Sequence, residues 1–213
     1  MKRARALSPW GDGTMLGNLA LFTDLYELTM LQAYLDEGMA DEAVFSLAVR
    51  SLPPQRNFLL ACGLDTVLDY LENLRFHEED LAYLASLGRF SERFLGWLSD
   101  FRFTGSVYAV PEGTPVFANE PILEIVAPLP QGQIVETFVM NQVHLQTLLA
   151  SKAYRVVRAA EGRLVVDFGA RRIHGVDAAL KAARAFYIAG VAATSNVLAG
   201  REYGLPVTGT MAH

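Results

Sequence analysis

Leu164-Val-Val-Asp-Phe-Gly-Ala-Arg-Arg172, Val191-Ala-Ala-Thr-Ser-Asn196 and Pro206-Val-Thr-Gly-Thr-Met-Ala-His213 decide how this chain folds. Each is a short apolar run that ends in polar residues. An alanine-rich helical pattern over residues 176–188 joins the first to the second, and a shorter one over 196–203 joins the second to the third. Strand, helix, strand, helix, strand in this order predicts parallel strands linked by right-handed crossovers. The wholly apolar run 164–166 predicts a strand buried on both faces. Parallel strands of this kind aim the groups at their carboxyl ends into one crevice, the usual seat of chemistry in barrels and doubly wound sheets. Phe168, Ser195 and His213 are therefore expected around one hollow.

Upstream, residues 134–160 read as a long helix with few breakers. Pro128-Leu-Pro-Gln-Gly132 is the clearest internal boundary. From 105 to 127, β-rich runs are broken by Pro111-Glu-Gly-Thr-Pro115 and Asn119-Glu-Pro121, which predicts a small antiparallel meander. Two short helices are expected between 78 and 100. Leu64, Leu68, Leu71 and Leu74 mark a helix before them, and 43–49 alternates like a strand. Asp24 followed by Glu27 fits a capping box, with Leu28, Leu31 and Leu35 as its apolar stripe and Gly38 as its stop. Ordered structure is expected from Leu19, after a disordered extension over 1–18 in which Met15 is an alternative start.

Composition narrows the function classes. The chain has 213 residues, 52% hydrophobic and 19% charged, which predicts a folded protein of one large domain or two small ones. A net charge of −5 argues against a nucleic-acid surface, though not against a local basic pocket. The single cysteine, Cys62, allows no intramolecular disulfide and points to the cytoplasm; it reads as a buried thiol. No run is long and apolar enough for a membrane span. Met1-Lys-Arg-Ala-Arg5 lacks the apolar stretch of a signal peptide.

Each candidate residue has two readings. Phe168 can stack on a planar ring, and Arg171 can grip a carboxylate or phosphate; alternatively they are a core phenylalanine and a surface arginine. Thr194, Ser195 and Asn196 can cap the next helix or expose its amides to an anion, and the two are compatible. Thr210 and His213 lie at the last strand end, where a neutral imidazole is a good nucleophile towards phosphorus and a solvated histidine is the plain alternative. Asp167 can orient Arg171 or Arg172, or cap locally. His77, His144 and His174 share no metal-ligand spacing. Arg50 and Arg56 flank Pro53-Pro54 in an expected loop, with a phosphate contact as the less favoured reading.

Four stretches together resemble nicotinate phosphoribosyltransferase: Thr23-Asp-Leu-Tyr-Glu-Leu-Thr-Met30, Asp167-Phe-Gly-Ala-Arg-Arg172, Thr194-Ser-Asn-Val-Leu-Ala-Gly200 and Pro206-Val-Thr-Gly-Thr-Met-Ala-His213. The resemblance implies a mixed α/β domain over 19–133, followed over 134–213 by the first part of a β/α barrel, a type II phosphoribosyltransferase-like fold truncated within the barrel. It implies a homodimer that joins nicotinate to 5-phosphoribosyl pyrophosphate, with ATP hydrolysed alongside and Mg2+ assisting the pyrophosphate. By matching positions, Tyr26 from a neighbouring subunit and Phe168 would sandwich the pyridine ring. Arg171 would pair with anionic groups, with Asp167 behind it. Ser195 stands where the nicotinamide-using relative carries an aspartate, a charge that would repel nicotinate. Thr210 would touch nicotinate, and His213 would be the residue ATP phosphorylates.

Full members of the family are several hundred residues long, and the acidic residues and glycine-rich loops of their later strands have no counterpart here. The chain is therefore expected to be a fragment, a truncated gene product or half of a split enzyme, with little activity alone. The competing readings are a catalytically silent binding or assembly module and a quinolinate-using phosphoribosyltransferase. The latter's dicarboxylate substrate would call for a more basic pocket, whereas the strand-end residues after Arg172 are neutral apart from His213.

Overall fold

The computed structural model describes residues 19–210. The expected extension over 1–18 and His213 lie outside them. The fold is mixed α/β. Helix α1 (Leu25–Asp36) is followed by β1 (Glu42–Ala48), β2 (Leu59–Leu60), α2 (Leu64–Asn73), α3 (Glu78–Ser86) and α4 (Glu92–Ser99). Then come β3 (Ser106–Ala109), β4 (Pro115–Val116), β5 (Pro121–Pro128), α5 (Leu129–Ile134) and the long α6 (Glu136–Ala159). The last part holds β6 (Val166–Asp167), a 3-10 turn (Ala170–Arg172), α7 (Val176–Ile188), β7 (Ala193–Thr194) and α8 (Val197–Tyr203).

The first sheet is antiparallel, in the order β1-β5-β3. Its register sets Phe45 opposite Ile125, Leu47 opposite Leu123, and Val107 opposite Ile125. Alternation along the strands turns these residues to one face, where they meet Leu31, Phe94, Leu98 and Phe138 in the main core. The meander expectation is thus half met: β4 leaves this sheet and pairs with β2.

Packing shapes two stretches that the sequence singles out. The boundary stretch 128–132 forms most of α5, whose Pro130, Gly132 and Ile134 are buried against α1 and the sheet. A Cβ on Gly132 would overlap the Phe45 ring, so only glycine allows this approach. The expected capping box at Asp24 does not form. Glu27 turns inward and is fully buried.

Helix α6 joins two cores. Phe138, Val139 and Val143 enter the first. Ala150 and Ala153 enter a second with Leu60, Ala185, Ala189 and Val191. Its polar side chains complete β2: Ser151 Oγ accepts from Leu60 N at 2.8 Å, and Thr147 Oγ1 accepts from Cys62 N at 3.1 Å. These bonds explain why a threonine and a serine are buried in the middle of a helix.

The parallel strands are present but short. β6 and β7 pair parallel, and Val207 adds a single parallel bridge to Thr194 rather than a strand over 207–210. Leu164, expected inside a doubly buried strand, is 84% exposed, because the ladder begins only at Val166. No helix among the described residues is long and apolar enough to cross a membrane.

Candidate functional site

Asp167 organises the strand ends. Its Oδ1 accepts from Gly169 N at 2.7 Å, folding the chain back after β6, and its Oδ2 accepts from Thr194 Oγ1 at 2.8 Å. Its carbonyl accepts from Ser195 N at 2.8 Å. Thr194 is buried, and its Oγ1 in turn accepts from Asn196 N at 3.1 Å. Thr194 N donates to Pro206 O and Thr208 N donates to Thr194 O, both at 3.0 Å. Three segments far apart in sequence are thereby tied at one rim. A Cβ on Gly200 would overlap Val207, so the glycine on α8 lets the third segment close in.

At this rim Phe168 is 47% exposed and Ser195 is half-buried. Arg171 projects from the 3-10 turn and is exposed. Among the described residues no ion pair joins Asp167 to either arginine; its carboxylate serves the backbone and Thr194. Asn196 caps α8, its Oδ1 accepting from Ala199 N at 3.2 Å. Thr210 is exposed, two residues beyond Thr208, whose amide bonds to Thr194. Tyr26 lies elsewhere, in the first turn of α1, which packs on α5. It is 47% exposed. Desolvation first, then the carboxylates of Glu136, Glu27 and Asp24, push its phenol up to about 12.

Two polar clusters lie away from the strand ends. In one, Glu112, from the turn before β4, receives both guanidinium nitrogens of Arg184 on α7, at 3.0 and 2.6 Å, and Gly63 N at 2.7 Å. Asp65 adds a second acid 3.5 Å from Arg184. Burial alone would raise the Glu112 carboxyl, but the bonds and charge of Arg184 win and hold it below the usual range. This cluster fastens the turn at 111–114 to α2 and α7. Cys62 beside it is buried, and burial pushes its thiol up to about 12, which leaves it unreactive. The second cluster gathers Thr23, Asp24, Glu27 and Thr137 beneath Tyr26. Glu112 and Arg184 are 72 positions apart, and Asp24 and Thr137 are 113 apart, so no local pattern announces either pairing. A cleft of about 500 Å³ between α6 and the start of α7, lined by His144 and His174, adds no acid to the strand-end group.

Residues 21–144, more than half of the chain, match the nicotinate phosphoribosyltransferase (NAPRTase) N-terminal domain. The chain is 60% identical over 194 residues to nicotinate phosphoribosyltransferase pncB2 of Mycobacterium tuberculosis, covering 91% of this chain and 42% of that protein. It is 42% identical over 197 residues to the nicotinate phosphoribosyltransferase of Bacillus subtilis, covering 92% and 40%. The crystal structure of human nicotinic acid phosphoribosyltransferase superposes with a TM-score of 0.82 at 35% identity, covering 90% of this chain and 39% of the human one. The chain spans about two-fifths of the length of the curated relatives it matches. By its N-terminal domain, and by an α/β fold shared with the human enzyme, the chain belongs to the nicotinate phosphoribosyltransferase family.

Proposed function

We propose that this chain provides the N-terminal α/β domain, residues 19–133, and the first part of the barrel, residues 134–213, of a cytoplasmic nicotinate phosphoribosyltransferase of NAD salvage. The reaction joins nicotinate to 5-phosphoribosyl pyrophosphate, giving nicotinate mononucleotide and pyrophosphate, while ATP becomes ADP and phosphate. The observation that carries the reading is the knot of Asp167, Thr194 and residues 206–208, which sets Phe168 and Ser195 at one rim. In this reading Phe168 stacks on the pyridine ring and Arg171 pairs with the substrate's anionic groups. Thr210 meets nicotinate, and Ser195 leaves its carboxylate unopposed. His213 is the phosphoryl acceptor from ATP.

Tyr26 covers the other ring face from a second copy of the chain. Half-exposed Phe22 and Leu25 beside it support a covered surface there. As pyrophosphate leaves with the electrons of its C–O bond, positive charge grows on the ribose carbon, and the pyridine nitrogen donates the pair that forms the new C–N bond. The chain's part is to hold that nitrogen in line. Among the described residues no group of three or more His, Cys, Asp or Glu could hold a metal ion. Magnesium, when bound, would assist the departure of pyrophosphate, and no step of this chain is routed through it.

The test is a chimera that continues this chain with the corresponding segment of the Mycobacterium relative. Supplied with phosphoribosyl pyrophosphate, magnesium and ATP, it is expected to prefer nicotinate to nicotinamide and quinolinate. Phe168→Ala is expected to raise the KM for nicotinate about tenfold, the worth of one stacked ring. The chain alone is expected to turn over little. A chimera that prefers quinolinate or nicotinamide ends the reading.

A further inference from the structure

Glu27 is 0% exposed, yet it carries an ionisable group. Thr23 Oγ1 donates to its Oε2, and the Tyr26 hydroxyl donates a long bond to its Oε1 at 3.4 Å. Thr137 Oγ1, on α6, is 3.1 Å from Glu27 Oε1 and 2.9 Å from Asp24 Oδ2. A hydroxyl has one proton to give, so it cannot satisfy two ionised carboxylates. The other groups facing the cluster are Glu136 on α6, which accepts from Gln133 Nε2 of α5 at 3.0 Å, and Tyr70 on α2. The buried Tyr70 hydroxyl has no hydrogen-bond partner among the described residues. None of the titratable groups named here, Asp24, Tyr26, Tyr70 and Glu136, is a cation. Asp24 is exposed and open to water, whereas Glu27 is buried; a proton on Glu27 Oε1 would let it donate to Thr137 Oγ1, freeing that hydroxyl's own proton for Asp24 Oδ2.

We propose that Glu27 is a positioning residue carried as the neutral acid, and that Glu27, Thr137 and Asp24 form a proton-held clasp fixing the first turn of α1 to α6. The clasp sets the backbone that carries Tyr26. Use of Tyr26 for ring stacking rests on the nicotinate reading; the clasp itself does not. Burial pushes the Glu27 carboxyl above its usual range, against the pull of the Thr23 and Thr137 hydroxyls, which agrees with the proton count.

The folded chain therefore keeps a proton that the unfolded chain releases at an ordinary carboxylate value. Stability is full below that value and falls as pH rises through the window between the unfolded and folded values. Glu27→Gln supplies the same donor without a titrating proton. Urea unfolding of the full chain is measured for both proteins from about pH 4 to 8. The unfolding constant of the native chain, divided by that of Glu27→Gln, is expected to rise with pH, by up to about tenfold per unit inside the window. A ratio that is flat or falls with pH overturns the clasp. A second readout does not depend on stability: the infrared difference spectrum, native minus Glu27→Gln, at neutral pH. A protonated-carboxyl C=O stretch is expected there, and ionised-carboxylate bands in its place overturn the proposal.

Discussion

The two halves of α6 lie in two cores of different make-up. Its first half faces large side chains: Phe138 stacks on Tyr70 with centroids 3.7 Å apart, and Leu31, Phe94 and Leu98 fill the space behind. Its second half is richer in small buried residues, Ala150 and Ala153 with Ala185 and Ala189, joined by Leu60 and Val191 and bordered by partly buried side chains such as Phe58 and Tyr154. A large buried side chain contributes roughly 1.5–3 kcal/mol and an alanine far less. The first region therefore stands on apolar burial. The second, whose strands are two residues long, stands on close backbone approach and on side chains that satisfy backbone groups. The strand ends carrying the candidate site belong to this second kind, where exact placement matters more than bulk.

The comparison is broken most directly by removing one large side chain. Phe94, 1% exposed, is among the largest fully buried residues. Phe94→Ala is expected to lose about 3–5 kcal/mol in urea unfolding. A loss near 1 kcal/mol would mean that apolar burial does not carry the first region. The joint between the regions comes next. Glu112→Gln leaves Arg184 without its two-pronged partner and is expected to cost about 3 kcal/mol at neutral pH. Because the folded Glu112 carboxyl lies below its usual range, its stabilisation is present above the ordinary carboxylate value and fades as pH falls through the lower, folded one. The gap between native and variant stability is thus expected to close on acidification. A gap independent of pH would remove the charge from the explanation.

How far the sequence could be read follows the same division. Helix α7 runs over 176–188 as its pattern predicts, because alanine-rich periodicity is a local signal. Helices α3 and α4 also fall inside the expected 78–100 window. The helix at Pro128-Leu-Pro-Gln-Gly132 was not legible because proline reads as a breaker yet is at home in the first turn of a helix, and the Phe45 ring that needs Gly132 comes from a strand far away in sequence. Asp24 and Glu27 have capping-box spacing, but Thr137, 110 residues on, claims the carboxyl instead. At the strand ends the polar residue types were visible. The bonding that makes Asp167 a backbone organiser rather than an arginine partner was not, because it depends on Thr194 being 27 residues away and buried.

Smaller substitutions sharpen the contrast. Ala185 is 0% exposed on the face α7 turns to α6. Ala185→Leu, harmless by composition, is expected to cost about 1–3 kcal/mol through overpacking, whereas the same added bulk would be tolerated on an exposed face. The finest test is Thr194→Val, which keeps the shape and deletes one oxygen. That oxygen donates to Asp167 at 2.8 Å and accepts from Asn196 N at 3.1 Å. Its loss leaves a half-buried acceptor and an amide short of partners, at about 1.5 kcal/mol. Global unfolding will register this weakly, since the large core is untouched. Amide exchange should register it sharply: the Ser195 and Thr208 amides, which cross between the tied segments, are expected to lose protection, while those of β5 keep theirs. Equal loss in both places would mean that the two halves of α6 unfold as one unit and that their different chemistry has no separate consequence.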